Sequence, residues 1–172
     1  EHVDWQNIAG EVRSDCAVLH VRQPTVGDFR AENAHPFRMR SWLFAHQGTI
    51  GRFDAMRGNL SEMIPDFLLR NIRGETDSEY LFHTVLALLH DAGQLDNPDV
   101  NQAHALPAIS AAVTLVERLA DEVGGSDTSL SFILTNVMLV SGVEASPVGY
   151  EAVPERAVAV IDRGLDVTVH AL

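Results

Sequence analysis

The sequence has one cysteine, Cys16, and no lysine; all 12 of its basic residues are arginine. A single cysteine excludes an intrachain disulfide and a Cys-rich zinc cluster. The missing lysine reads as compositional bias. No apolar run is long enough to span a bilayer, and no basic segment followed by an apolar one marks a signal peptide. Positive charge is scarce, with 24 acidic residues giving a formal net charge of -12. Such a surface repels phosphate backbones and anionic lipid, so neither nucleic acid nor membrane is an expected partner. The expected location is cytoplasmic. Hydrophobic residues make up 46% and charged residues 21% of the 172 positions, the balance of a globular chain. That length suits one domain and buries enough surface to fold without a metal or disulfide.

The pattern of elements predicts an α+β fold. Residues 16–22 read as a strand ended by Gln23-Pro24, and residues 41–46 as a second strand with Gln47-Gly48 at its end. Between them, residues 25–40 read as a long polar loop, a usual place for a site. Residues 60–72 show helical spacing at Leu60, Met63, Ile64, Phe67 and Leu68, with Pro65 as a kink or a new start. Thr76-Asp77-Ser78-Glu79 opens a strong helix that ends before Gly93. A polar linker over 96–104 leads to a helix over 106–123, with Ile109, Val113, Val116, Leu119 and Val123 on one face. Strands follow at 129–140, 157–161 and 165–169, the last two as a hairpin around Asp162-Arg163-Gly164.

Four short pieces carry chemistry. Arg22 at a strand end offers a planar fork of donors suited to a carboxylate; its bland alternative is a structural ion pair. His35 before Pro36 can orient a ligand, or the Asn33 side chain simply stabilises a turn there. The Gly48 backbone N–H and the Gln47 amide would make an oxyanion hole, against the alternative of a plain strand end. Thr76 and Glu79 have capping-box spacing, which does not require Asp77. A carboxylate in that first turn is favoured by the helix dipole and is also placed to bind an ammonium group. Together, Arg22 for an α-carboxylate, Asp77 for an α-amine and Gln47 with Gly48 for an oxyanion describe a pocket for a free amino acid with a side-chain acyl group. Glutamine fits it.

In this order and spacing the pieces resemble the class II glutamine amidotransferases, a group of the N-terminal-nucleophile hydrolases, and their small stand-alone bacterial members in particular. The residues concerned are His20, Arg22, Gly27, Glu32-Asn33, His35-Pro36-Phe37, Trp42, Phe44-Ala45-His46, Gly48 and Gly74-Glu75-Thr76-Asp77-Ser78-Glu79. The tail piece Gly149-Tyr150-Glu151 and Pro154 also looks familial. The resemblance implies a four-layer αββα sandwich over a single domain spanning 1–172. It implies hydrolysis of the glutamine amide, or of a γ-glutamyl compound, by an N-terminal Cys whose own α-amine moves the proton. It gives Arg22 the substrate carboxylate, Asp77 the amine and Gly48 an oxyanion donor, with Thr25 and His35 lining the pocket. No cofactor and no metal are implied; a partnership with a second copy of the chain stays open.

Three departures qualify this expectation. The sequence starts at Glu1, where the family has its Cys, and the family's first strands are missing from it. Cys16 is a poor substitute, since it falls inside a strand the motif needs. Gln47 stands where the family has Asn, and its extra methylene carries the amide to a different point. Around 135–146 two family segments are joined with less chain than usual. The alternative reading is a degenerate member that binds an amino acid or a partner subunit without catalysis. A metal reading has little support: His83 and His90 are two helical turns apart, and His20, His35 and His46, which could converge from strands and loop, come with no carboxylate at telling spacing.

Overall fold

A computed structural model describes residues 18, 20, 22–136, 157–161 and 167–171. The chain is α+β, and its contacts divide it into two compact units. The larger begins its regular structure with a short 3-10 turn at Ala31–Asn33 and strand β1 at Phe37–Met39. There follow β2 (Trp42–Thr49), α1 (Phe53–Met63), α2 (Asp66–Leu69), α3 (Asp77–Asp91), α4 (Gln102–Glu122) and β3 (Ser129–Asn136). The smaller holds β4 (Ala157–Ile161) paired antiparallel with β5 (Val167–Ala171), in a register that sets Ala159 opposite Val169.

In the larger unit the strands form an antiparallel sheet of order β1-β2-β3. β2 is central, with Phe37 opposite Phe44 on one side and Phe132 opposite His46 on the other. Helix α3 lies against β2 and packs on α1 and α4. Phe44 of β2 and Phe82 of α3 stack at 5.2 Å between ring centroids, and Phe132 of β3 closes on Phe44 at 5.1 Å. Both Phe44 and Phe82 are fully buried. Offset aromatic contacts of this kind add to the burial of their area, so this cluster pins α3 across the middle of the sheet. Trp42, at the start of β2, donates from Nε1 to the Leu95 carbonyl at 2.8 Å and fixes the loop after α3.

Several sequence expectations shift. The expected strand over 16–22 falls largely outside the described residues, and Arg22 itself lies in a loop. β2 does not stop at His46 but runs through Gln47 and Gly48, because β3 pairs with it as far as Thr49. The expected helix over 60–72 is two helices. Pro65 disfavours helical backbone at Ile64, so α1 ends at Met63 and α2 restarts behind the proline. α1 begins seven residues earlier than its apolar pattern suggested, burying Phe53, Met56 and Leu60, while Met63 is exposed. α4 takes in the end of the expected linker, because the Asn101 side chain caps it by accepting from the Ala103 N–H at 2.9 Å. Pro107 is tolerated inside it, near the N-terminal end. β5 extends to Ala171, two residues beyond the expected strand. The turn at 162–164 and the expected end of the third strand at 137–140 lie outside the described residues.

Candidate active site

The pocket is built where β2, the N-terminus of α3 and the loop over 22–28 meet. All six residues chosen from the sequence line it: Arg22, Thr25, His35, Gln47, Gly48 and Asp77. His20, His46 and Ser78 line it as well. Sequence reasoning had these last three within its motifs but assigned them no part in the pocket.

α3 starts as its sequence dictates. Thr76 is the N-cap, its Oγ1 accepting from the Glu79 N–H at 3.2 Å. The reciprocal half of the capping box is redirected. Glu79 accepts instead from the backbone N–H groups of Arg73 and Gly74, at 2.9 and 2.7 Å, and so ties down the approach to the helix. Burial pushes the Glu79 carboxyl above its ordinary range, although these two N–H groups and the Arg73 charge oppose the shift. Asp77 occupies the first helical position and is only 3% exposed. Its Oδ2 accepts from the Ile50 N–H and its Oδ1 from its neighbour Ser78 N–H, each at 2.8 Å. Two backbone donors and a helix N-terminus therefore fix this carboxylate in place.

Gly48 stands opposite, on β2. Its φ is +153°, and a Cβ there would fall 2.1 Å from the Ser129 carbonyl oxygen and 2.8 Å from His46 Nε2. Only glycine lets the strand pass this close to β3 and to the histidine ring. Gln47 beside it is exposed.

The third wall is the loop. The Arg22 guanidinium turns into its own segment, donating to the carbonyls of Val26 (2.6 Å), Gly27 (3.0 Å) and Asp28 (3.0 Å). Arg22 thus borders the pocket and folds its loop through backbone carbonyls, not through the structural ion pair offered as its bland alternative. Gly27, at φ +75°, leaves room for Asn33, whose amide a Cβ would approach to 3.0 Å. Asn33 is 1% exposed; it donates to the Asp28 carbonyl at 2.9 Å and accepts from the Glu75 N–H at 3.0 Å. One buried amide therefore joins the loop to the segment leading into α3. Thr25 is exposed and accepts from the Thr49 hydroxyl at 2.9 Å.

The histidines form the floor. His20 donates from Nε2 to the His46 carbonyl at 3.0 Å and lies 4.2 Å from the His35 ring, which in turn packs on Phe37 at 4.5 Å. Burial lowers the His35 pKa from 6.5 to about 4, helped by His20, His46 and Arg22 nearby. Burial lowers His46 too, against the attraction of Asp77 and the Ser129 carbonyl. Both rings are neutral near pH 7 and can accept a hydrogen bond. Among the described residues, no group of three or more His, Cys, Asp or Glu side chains is arranged to hold a metal ion.

The sequence pattern of the class-II glutamine amidotransferases matches residues 7–136. The chain is a member of that family. It is 36% identical to the probable glutamine amidotransferase DUG3 of Saccharomyces cerevisiae over 94 residues, which is 52% of this chain and 26% of the yeast protein. It is 33% identical to YafJ of Escherichia coli over 76 residues, 41% of this chain and 26% of that one. The chain thus spans about a quarter of the length of these curated relatives. A solved structure of a glutamine aminotransferase class-II domain protein from Silicibacter pomeroyi superposes with a TM-score of 0.49 at 28% identity, over 63% of this chain and 46% of that one. No helix among the described residues is long and apolar enough to cross a membrane.

Proposed function

We propose that this pocket binds glutamine, or the glutamyl half of a γ-glutamyl compound, for hydrolysis of its side-chain amide. The convergence of Arg22, Asp77 and Gly48 on one pocket, in a class-II amidotransferase, is the observation that carries the reading. Asp77 takes the α-ammonium group, which finds a fixed carboxylate there. Arg22 takes the α-carboxylate with the donors its loop leaves over. The Gly48 N–H, with Gln47 beside it, faces the oxygen on which negative charge develops as the amide carbon is attacked. Thr25 and His35 complete the walls. The attacking group is the thiolate of an N-terminal Cys lying outside these 172 residues. Its own α-amine accepts the thiol proton and delivers it to the departing ammonia, and water then releases glutamate from the thioester. In this reading the chain belongs to one amidotransferase domain of the N-terminal-nucleophile hydrolase type, layered αββα, and needs no cofactor.

Calorimetric titration of the chain with glutamine tests the binding half. Asp77→Asn keeps the shape and removes the charge, and is expected to weaken binding at least tenfold, about 1.4 kcal/mol. Equal affinity for both proteins, or no binding to either, overturns the assignment. Glutamate release by a form carrying a Cys-first segment tests the chemical half. Gln47, which stands where the family has Asn, is the residue that speaks for the alternative, a degenerate member that binds without catalysis. If the Cys-first form is inactive and Gln47→Asn makes it active, Gln47 is the reason the natural site only binds.

A further inference from the structure

His46 leaves β2 two residues before Gly48, and its ring crosses the floor of the pocket to the start of α3. Its Nδ1 lies 2.8 Å from Ser78 Oγ, and that oxygen lies 3.4 Å from Asp77 Oδ1. The three residues are 2%, 5% and 3% exposed. The other ring nitrogen, Nε2, is buried without a hydrogen-bond partner and lies 2.8 Å from where a Cβ would stand on Gly48. The Ser129 carbonyl is on the same side but outside hydrogen-bond geometry. The carboxylate, the hydroxyl, the imidazole and the glycine thus form a continuous buried series, joining the N-terminus of α3 to the strand that carries Gly48.

The protons in this series have a preferred order. Ser78 has one hydroxyl proton, and the Asp77 carboxylate can only accept. The carboxylate charge draws that proton towards Oδ1, so Ser78 Oγ is left to accept from Nδ1–H of His46. In the opposite tautomer the buried Nε2–H would face only the Ser129 carbonyl, which lies outside hydrogen-bond geometry, and orphaned buried N–H groups are rarer than unmatched acceptors.

We propose that Ser78 and His46 are positioning residues. Ser78 holds His46 in its Nδ1–H form, and the fixed ring supports Gly48 from beneath, so that the Gly48 N–H keeps its aim into the pocket. The proposal rests on the reading above that this N–H meets the substrate carbonyl. It makes the ammonium clamp and the oxyanion strand one hydrogen-bonded unit, so that the distance between the two ends of the bound amino acid is set by the protein. Exact placement of such donors is what gives them their effect on a developing charge.

Nitrogen NMR of the chain labelled in its histidine rings reads the tautomer directly. The wild-type protein is expected to show His46 protonated at Nδ1 and bare at Nε2. This measurement needs no variant, and a proton on Nε2 overturns the proposal. Ser78→Thr keeps the hydroxyl and should keep the signature, while Ser78→Ala should lose it. A Ser78→Ala spectrum with His46 unchanged overturns the proposal too. In calorimetry, Ser78→Ala is expected to bind glutamine about fivefold more weakly, the worth of one ordinary hydrogen bond, and Ser78→Thr to bind as the wild type does. Loss of the tautomer with unaltered affinity sinks the positioning role. Failure of the substrate reading looks different, because there Asp77→Asn leaves glutamine binding untouched whatever His46 does.

Discussion

The two sides of the pocket are held by different means. On the side of β2 and α3, each polar group is fixed by an element with its own reason to exist. Asp77 is anchored by the Ile50 and Ser78 backbone, Ser78 meets His46, and Gly48 is locked in register opposite Leu130. The aromatic cluster of Phe44, Phe82 and Phe132 lies beneath this side. On the loop side, Arg22 is held by carbonyls of its own turn, and Thr25 and Gln23 are exposed. The first side is preorganised by packing. The second depends on a few polar bonds, with water competing for those at its surface. A ligand carboxylate at Arg22 has only the donors that three carbonyls leave over, whereas an ammonium group at Asp77 finds its partner already placed.

The sharpest way to break this comparison is to add the same methyl group on each side. Gly48→Ala puts a Cβ 2.1 Å from the Ser129 carbonyl at an unfavourable φ, so β2 and β3 must separate. We expect a loss of about 3 kcal/mol in urea unfolding. Gly27→Ala is also strained, at φ +75°, but its nearest neighbour is a side-chain amide at 3.0 Å that has some room to yield. A loss of about 1 kcal/mol is expected. Equal losses would show that the loop is as rigid as the sheet.

Much of the firm side was legible in the sequence because its signals are local. Thr76 and Glu79 mark a helix start at any address in a protein, and Asp77 stood out because a cap does not require it. The parts that were not legible depend on partners far along the chain. β2 continues to Thr49 only because residues 129–136 pair with it, and nothing near Gln47 announces that. Glu79 looks like a box partner for Thr76, yet it serves Arg73 and Gly74. The first two turns of helix α1 were missed because an arginine in left-handed conformation precedes it in place of an ordinary cap. The six chosen site residues do border one pocket. The His46–Ser78 contact, however, spans 32 positions and has no sequence signature.

The join between the two sides gives the next effect in size. Asn33 bridges the Asp28 carbonyl and the Glu75 N–H from a fully buried position. Asn33→Ala leaves the Glu75 N–H without its acceptor, while the Asp28 carbonyl keeps the Arg22 guanidinium and the Arg30 N–H, and is expected to cost about 2 kcal/mol. Amide hydrogen exchange should locate the damage: protection at Glu75 falls, while the amides of β2 keep theirs. Loss of protection across β2 as well would mean that the two sides are a single cooperative unit, and the contrast drawn here would fail.

The smallest expected effect is in pH dependence. In the folded chain His35 titrates near 4, against 6.5 ordinarily, so between those values the unfolded state binds the extra proton. Stability from this residue is complete above pH 6.5 and is lost progressively as pH falls towards 4, after which it changes no further. His46 and His83 are lowered by burial and act in the same direction. Glu79 acts oppositely: its raised carboxyl favours the folded state while protonated, and that advantage is lost as pH rises past its ordinary range. The net slope of the wild-type protein therefore mixes signs, and a difference isolates His35. His35→Gln keeps a polar side chain of similar size and does not titrate. Unfolding midpoints of the two proteins, measured from pH 7 down to 4, should converge as the pH falls, with the variant showing the flatter decline. The change is modest because His35 is only part-buried and solvent screens its charge. Parallel curves would mean that the unfavourable protonation is absent and that water reaches the histidine floor freely from the loop side.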